Sequence, residues 1–518
     1  MARLEQLLDQ IRKGKDIRRN LIEIRKNISD ESLRRRFMYQ LEGDFSLLTG
    51  LLGHEDPKVR KSAALILGMT EDEDVLPELF DAWEKEETLF VREAYLKAIT
   101  GLDYREYLPR LNDRILELER QMTPVEDGRE SLPENPLWDN DTHLLAELSL
   151  LRQMAARYEK HGKHRFVSMN PAPELLLRTN LLHAEVTAKQ ICCGTTHVLR
   201  GGVQVKGGDL NELMRIRTWT ECLLPIPGER PIQGDEKMIA SKLRDLKIGN
   251  YLQYLHEDSG QPFRYRIELK STTVPREKKG EYIRRIASRL DLLEKGRLLN
   301  SESDYEVELR LIERKDQSVI PMLKLFTLPD RRFSYRKETT AQSTSAPLAA
   351  LAVELARPYL KEGAQILDPF CGVGTLLTER CIAVQADPVY GVDHFEEAIE
   401  KARKNSENND QVQHVPFHYI NRDFFDFTHE YPFDEIITFL PDAEPGSEAD
   451  FASRFLGKSQ TLLRNEAILI ILTNAPGALK EAASRIPGYD VAQEYLLNER
   501  TGCSELILKK DETQEAKA

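Results

Sequence analysis

No stretch of this sequence reaches 18 consecutive apolar residues, so it carries no candidate membrane-spanning helix of ordinary length. The opening, Met1-Ala-Arg-Leu-Glu-Gln, lacks the apolar core of a signal peptide. Cysteine is scarce: six in 518 residues, with no pair at metal-type spacing. Cys192 and Cys193 are adjacent and read as small packed residues, not as a bonded pair. These absences predict reduced thiols in a cytoplasmic protein. No metal is expected. A nucleophile elbow and a phosphate loop with its lysine are also missing, which removes two common enzyme signatures.

What the chain has is charge. Charged residues make up 31% of it and hydrophobic residues 41%, an ordinary globular mixture with room for about three domains. The net charge of -13 argues against a protein that simply coats nucleic acid. The charge is uneven: about -8 over residues 1–160, about +8 over 161–350 and about -13 over 351–518. A basic middle between acidic flanks suits a chain whose middle alone touches phosphate. The competing reading is a solvated surface that happens to be unbalanced.

The sharpest pattern is Ile366-Leu367-Asp368-Pro369-Phe370-Cys371-Gly372-Val373-Gly374-Thr375. It reads as a short buried strand, a glycine loop, and a helix beginning near Leu376. Asp393 ends the next apolar run and lies about 20 residues beyond the second glycine, the spacing that presents a carboxylate to a ribose. The bland alternative is a tight strand-to-helix turn in an unrelated α/β domain. From about 341 onward, strands and helices alternate, predicting a parallel sheet with helices on both faces.

The string Asp-Pro-Phe-Cys-Gly-x-Gly-Thr resembles motif I of S-adenosylmethionine-dependent methyltransferases, in the form used by THUMP-associated RNA methyltransferases. The resemblance implies a Rossmann-like methyltransferase domain over residues 341–510, a polar tail at 511–518, and S-adenosyl-L-methionine as cofactor. It implies that Asp368, Pro369, Phe370, Cys371, Gly372, Gly374 and Thr375 hold the methionine end and that Asp393 holds the ribose. Asp423 resembles the acid that bonds the adenine amino group, with Phe424 against the ring. Read from the residues alone, Asp423 serves as well as a helix cap. In this family the fourth strand ends in Asn/Asp-Pro-Pro-Tyr/Phe, which aligns a target amino nitrogen and stacks its base. Here Phe439-Leu440-Pro441-Asp442 stands in its place. The implied catalytic set is therefore Pro441, Asp442 as acceptor, and Phe439 or Phe425 as stacking ring. The same departure fits a catalytically silent domain that keeps cofactor or RNA binding.

Toward the N-terminus, Leu4, Leu7, Leu8 and Ile11 form an amphipathic stripe. Val59-Arg60 recurs as Val91-Arg92 and Leu76-Pro77-x-Leu79 as Leu108-Pro109-x-Leu111, both at an offset of 32. Each unit reads as a helix pair, and Asp-Pro-x-Val-Arg-x-x-Ala-Ala resembles HEAT repeats, so residues 1–121 are expected to dock a protein partner. Residues 122–164 are expected to be a linker and then a helix over Leu144–Glu159. Residues 165–340 form an expected basic α+β, THUMP-like RNA-binding region. Within it, Phe166–Pro171 reads as a strand and turn, Glu174–Gln190 as helix, and Pro262–Lys270 as a strand with one wet face. Arg264, Arg266, Lys278, Lys279, Arg284 and Arg285 are its candidate RNA contacts, with Tyr265, Tyr282 and Tyr335 beside them to stack a base.

The expected architecture is multidomain: helical repeat, central α+β region, C-terminal α/β domain. The expected function is methyl transfer to tRNA or rRNA, at a base nitrogen in the family's manner; the alternative is an RNA-binding or assembly scaffold without catalysis.

Overall fold

The computed structural model describes residues 2–122, 142–158, 162–167, 172–228, 231–294 and 296–511. Most of the expected linker, the turn after Phe166 and the tail beyond Asp511 lie outside them. No helix among the described residues is long and apolar enough to cross a membrane.

The first 122 residues are helical, beginning with Ala2–Arg12, Ile17–Asn27 and Glu31–Leu41, and the expected stripe Leu4, Leu7, Leu8 and Ile11 is buried. The repeat comprises Pro57–Gly68, Leu76–Lys85, Leu89–Ile99 and Leu108–Met122. Asp56 caps the first of these helices by accepting from Lys58 N at 2.8 Å, with proline in the first turn, where no backbone donor is needed. The paired positions do equivalent work. Val59 and Val91 are buried, while Arg60 forks onto Glu86 at 2.7 and 2.8 Å and Arg92 reaches Glu147 at 2.8 Å. Glu147 lies on the helix Thr142–Ala156, which therefore extends the helical stack. At Gly68 two helices come into close contact: a Cβ there would lie 2.5 Å from Ala98 Cα.

Strands β1 (Leu175–Arg178), β2 (Thr195–Leu199), β3 (Gly202–Lys206) and β4 (Glu221–Pro225) pair antiparallel in the order β2-β3-β1-β4. The helix expected over Glu174–Gln190 is thus a strand and then the short helix Ala184–Ala188. The apolar run Leu175–Leu177 is too short for periodicity to separate strand from helix, and pairing on both sides decides it. Next come β5 (Phe263–Lys270), β6 (Leu298–Asn300), β7 (Val307–Glu313) and β8 (Val319–Leu325), with β5 parallel to β6 and β7, and β8 antiparallel to β7. β5 has the expected wet face, alternating buried and half-buried residues along most of its length. The helix Arg276–Leu293 covers its dry side: Tyr265 Oη donates to Ala287 O at 3.2 Å.

The last sheet contains β9 (Ala364–Asp368), β10 (Ala386–Asp393), β11 (Phe417–Asn421), β12 (Phe433–Phe439), β13 (Leu463–Thr473), β14 (Tyr489–Asn498) and β15 (Cys503–Lys510). Their order is β11-β10-β9-β12-β13-β15-β14, parallel except for the antiparallel β15. Two apolar cores fill its faces, one around Ile366, Leu377 and Ile470, the other around Leu367, Phe455 and Leu469. Strand order reverses at β9, which places the ligand crevice at the carboxyl ends of β9, β10 and β12.

By packing, Met1–Phe166 with Ile226–Thr327 form one compact unit, and Val167–Pro225 with Leu328–Ala518 another. The expected 165–340 region is thereby shared between the two units, with boundaries at 166/167, 225/226 and 327/328. Its first part joins the C-terminal sheet, for instance through Arg217, which forks onto Glu379 at 2.6 and 2.8 Å.

Candidate functional site

The glycine loop comes directly after β9 and its conformation is fixed from several sides. Gly372 and Gly374 take φ +51° and +76°, and a Cβ at Gly374 would meet Tyr419 Oη at 2.6 Å. A Cβ at Gly372 would meet nothing within 4 Å, so that side of the loop is open for a ligand to approach the backbone. Cys371 N donates to Val392 O at 3.0 Å, Asn405 Nδ2 donates to Val373 O at 3.2 Å, and Arg336 Nε reaches Thr375 Oγ1 at 3.1 Å. Pro369 and Thr375 are buried and Phe370 is half-buried.

Asp393, at the end of β10, ties this loop to the next strand. Its Oδ2 accepts from Gly372 N at 2.9 Å and its Oδ1 from Phe395 N at 2.9 Å. Each carboxylate oxygen keeps a lone pair, which suits a pair of ribose hydroxyls. The neighbouring Phe395 is 58% exposed, an aromatic face at the mouth that the sequence reading passed over. An aromatic two residues beyond the acid, at a helix start, was the available signal.

Asp368 is 2% exposed; its Oδ1 accepts from Thr438 Oγ1 at 2.7 Å and from Phe370 N at 3.1 Å. Burial pushes its carboxyl up to about 7. Its unfolded value is near 3.8, so between about pH 4 and 7 the folded state binds the extra proton and stability falls as pH rises. Asp368→Asn removes this contribution. The urea midpoint of wild type is therefore expected to drop relative to Asp368→Asn between pH 5 and 7.5. Parallel midpoints across that range would mean that Asp368 is ionised throughout. Cys371 is also buried and its thiol is pushed well above the ordinary range, so it stays protonated and is no nucleophile.

At the end of β11 the structure corrects one expectation. Asp423 caps the turn Phe424–Asp426, accepting from Phe425 N at 2.8 Å. The capped turn sends Phe424 inward: it is 2% exposed and packs on Phe370 and Phe455, at centroid distances of 5.5 and 5.7 Å, so its ring does not face a ligand. Asp423 itself remains exposed.

Beyond β12, Pro441 and Asp442 are exposed, and Asn474 Nδ2, just past β13, donates to Asp442 Oδ1 at 2.8 Å. Asn474 was not singled out from the sequence, because only the parallel pairing of β12 and β13 brings it to Asp442. Phe439 is half-buried against the core, and the Phe425 ring is covered by the Arg454 guanidinium at 4.4 Å. Neither candidate ring is free.

The basic candidates separate into two groups. Arg264 pairs with Asp304, while Arg266 binds Glu308 at 2.6 Å and lies 4.3 Å over Tyr305, so both belong to the ion-paired wet face of β5. Lys279 Nζ donates to Ser271 O at 2.7 Å. Lys278, Arg284 and Arg285 stand exposed on the helix Arg276–Leu293, Arg285 paired with Glu281. Tyr265 and Tyr335 cannot stack a base: both are buried, and Tyr335 Oη donates to Glu379 at 2.6 Å.

A parallel sheet of this order, with a glycine loop after the first strand and an acid ending the second, is a Rossmann-like methyltransferase fold. Residues 334–504 match the model of an RMKL-like methyltransferase domain, and residues 4–100 and 44–119 match HEAT repeats. The cofactor of such a domain is S-adenosylmethionine, and the open loop and the Asp393 carboxylate fit it. The solved structure of TrmN from Thermus thermophilus is similar with a TM-score of 0.50 and 18% identity, covering 65% of this chain and 99% of that one. At that identity the likeness is one of fold. Ribosomal protein L11 methyltransferase of Paraburkholderia xenovorans is 42% identical over 67 residues, and that of Dictyoglomus turgidum 37% identical over 84. These matches cover 12% and 16% of this chain and only 21% and 26% of the relatives.

Proposed function

We propose that the chain transfers a methyl group from S-adenosyl-L-methionine to RNA, tRNA or rRNA, at a base nitrogen. The observation that carries this reading is the Asp393 carboxylate bonded to Gly372 N at the carboxyl ends of two parallel strands. S-adenosyl-L-methionine, when bound, supplies a methyl group already activated on a sulfonium. The protein has to bind, orient and exclude water. The glycine loop and Asp368 would hold the methionine end, Asp393 the ribose and the exposed Asp423 the adenine. Asp442, fixed by Asn474, would accept a hydrogen bond from the target nitrogen and turn its lone pair toward the methyl carbon. RNA is supported by the basic balance of residues 161–350 and by the exposed Lys278 and Arg284. The cytoplasm is the matching compartment, and the helical repeats are the surface offered to a protein partner.

A second reading, a scaffold without catalysis, is favoured by one observation: the residue at the leading acceptor position, Phe439, is apolar and packs half-buried against the core. The curated relatives are named for a protein substrate, which makes the acceptor itself worth separating. Tritiated methyl transfer onto RNA and protein fractions from cells lacking this protein distinguishes all three cases. Label is expected in RNA, with Asp442→Ala slowing transfer about 100-fold because the acceptor loses its alignment. Label in protein alone would overturn the RNA reading; donor binding without label anywhere would leave the scaffold.

A further inference from the structure

Six arginines are buried in the described residues: Arg92, Arg152, Arg289, Arg310, Arg332 and Arg380. Five have a carboxylate partner within 3 Å, namely Glu147, Glu119, Glu308, Asp330 and Glu435 respectively. Arg289 alone has no hydrogen bond or ion pair among the described residues, although only 9% of it is exposed. A largely buried guanidinium without a protein partner is poorly hydrated and is open to pairing with an anion where its nitrogens reach a cleft.

Arg289 opens onto a cleft of 1320 Å³ within the first compact unit. One wall is the helix Arg276–Leu293 with the turn after β6; the other comes from the helices Leu89–Ile99 and Thr142–Ala156. Most of the other charges around Arg289 are committed. Arg264 is paired with Asp304, Arg285 with Glu281 and Glu236, and Lys97 with Glu93. Asp235, the acid that attracts Arg289 most strongly, caps the helix Glu236–Asp245 by accepting from Met238 N at 2.9 Å. Arg284 bonds only the Gly280 carbonyl, at 3.3 Å, and stays exposed; Glu302 is an exposed acid at the rim. Ser288 and the 8%-exposed Asn300 line the same space and can donate hydrogen bonds beside Arg289.

We propose that this cleft binds a phosphate group carried on a nucleotide or a polynucleotide, with Arg289 as its buried partner and Arg284 as its outer one. A planar guanidinium matches two phosphate oxygens at once, and the cleft is far larger than a bare anion needs. The helical repeats thereby form one wall of a ligand site. The inference deepens the RNA reading if the carrier is RNA, but the phosphate contact itself stands apart from methyl transfer.

The test is calorimetric titration of the full chain with uridine 5′-monophosphate and with a 5′-phosphorylated oligouridylate, S-adenosylhomocysteine being present to fill the donor site. Wild type is expected to bind at least one of them. Arg289→Gln should weaken that binding at least tenfold and lower the salt slope by about one. Lys242→Gln, on the helix Glu236–Asp245 but outside the cleft, should leave it unchanged. Removing an unpaired buried charge should hold or raise the melting temperature, so the variant's folding is checked in the same experiment. Binding of the oligonucleotide alone identifies a polynucleotide carrier, and equal binding of the monophosphate a free nucleotide; either supports the site. No binding of either probe at millimolar concentration, or equal binding by Arg289→Gln, overturns it. Unaltered RNA methylation by Arg289→Gln with unchanged KM would sink the RNA carrier while leaving the methyltransferase reading intact. Phosphate binding lost in Arg289→Gln with no methyl transfer by wild type would do the reverse.

Discussion

Titration of S-adenosylmethionine into Asp393→Ala is expected to show binding at least 100-fold weaker than wild type. The substitution removes a charged acceptor for the ribose, and a hydrogen bond to a charged group contributes roughly 1.5–3 kcal/mol, where 1.4 kcal/mol is tenfold in affinity. It also releases Gly372 N, which the Asp393 Oδ2 holds at 2.9 Å, so the loop loses its tie to β10. Asp393→Asn separates the two contributions. The amide keeps one acceptor oxygen and can preserve the tie to the loop, so its loss should be about tenfold. Binding by Asp393→Ala within threefold of wild type would remove Asp393 from the donor site. Absence of binding in folded, ligand-free wild type would sink the enzyme reading itself.

The largest effect on stability is expected at Arg380. Its Nε and Nη2 fork onto Glu435 at 2.8 Å each, Nη2 also reaches Lys361 O at 3.0 Å, and the side chain is fully buried. Arg380→Ala leaves the Glu435 carboxylate unpaired in the core between the helix Thr375–Ala383 and β12, at a cost of about 3–5 kcal/mol. In a unit of this size that corresponds to a fall in melting temperature of about 10 °C. The pH dependence carries the signature. Burial already raises the Glu435 carboxyl, and losing Arg380 raises it further. A group with a raised folded pKa is most stable when protonated, so the defect of Arg380→Ala should shrink as pH falls from 7 to 5. Glu435→Leu combined with Arg380→Met should recover most of the loss, since a packed apolar pair leaves no stranded charge. A defect that is constant with pH would mean lost packing, not a stranded carboxylate.

The local patterns of the chain were legible without coordinates where chemistry and spacing coincide. The glycine string from Ile366 to Thr375, the acid at Asp393 and the 32-residue offset between Val59-Arg60 and Val91-Arg92 each fix a local conformation. Their geometry agrees: Gly372 and Gly374 have positive φ, Asp393 ends β10, and both valines are buried. The strand at β5 was legible because alternation over eight residues has one reading. Leu175–Leu177 had no such length, and β2 no apolar face, since all five of its residues are exposed. Those strands exist because their neighbours pair with them.

Side-chain direction was the other thing hidden from the sequence. The residues Asp423-Phe424-Phe425 read alike whether Phe424 faces a ligand or the core; the capped turn behind Asp423 sends it inward. Arginine was similarly ambiguous. Arg264, Arg266 and Arg289 are one residue type in one basic region, yet the first two meet Asp304 and Glu308 across strands and the third meets no acid. By itself, then, the sequence determined the elements whose signal is local: the helical repeats, the loop after β9 and the acid after β10. The tertiary structure alone decided which polar groups are paired, which rings are free, and that Asn474 holds Asp442. The physical reason is range. Backbone conformation answers to residues a few positions away, whereas burial and charge pairing answer to whatever the fold brings within about 4 Å, however distant in sequence.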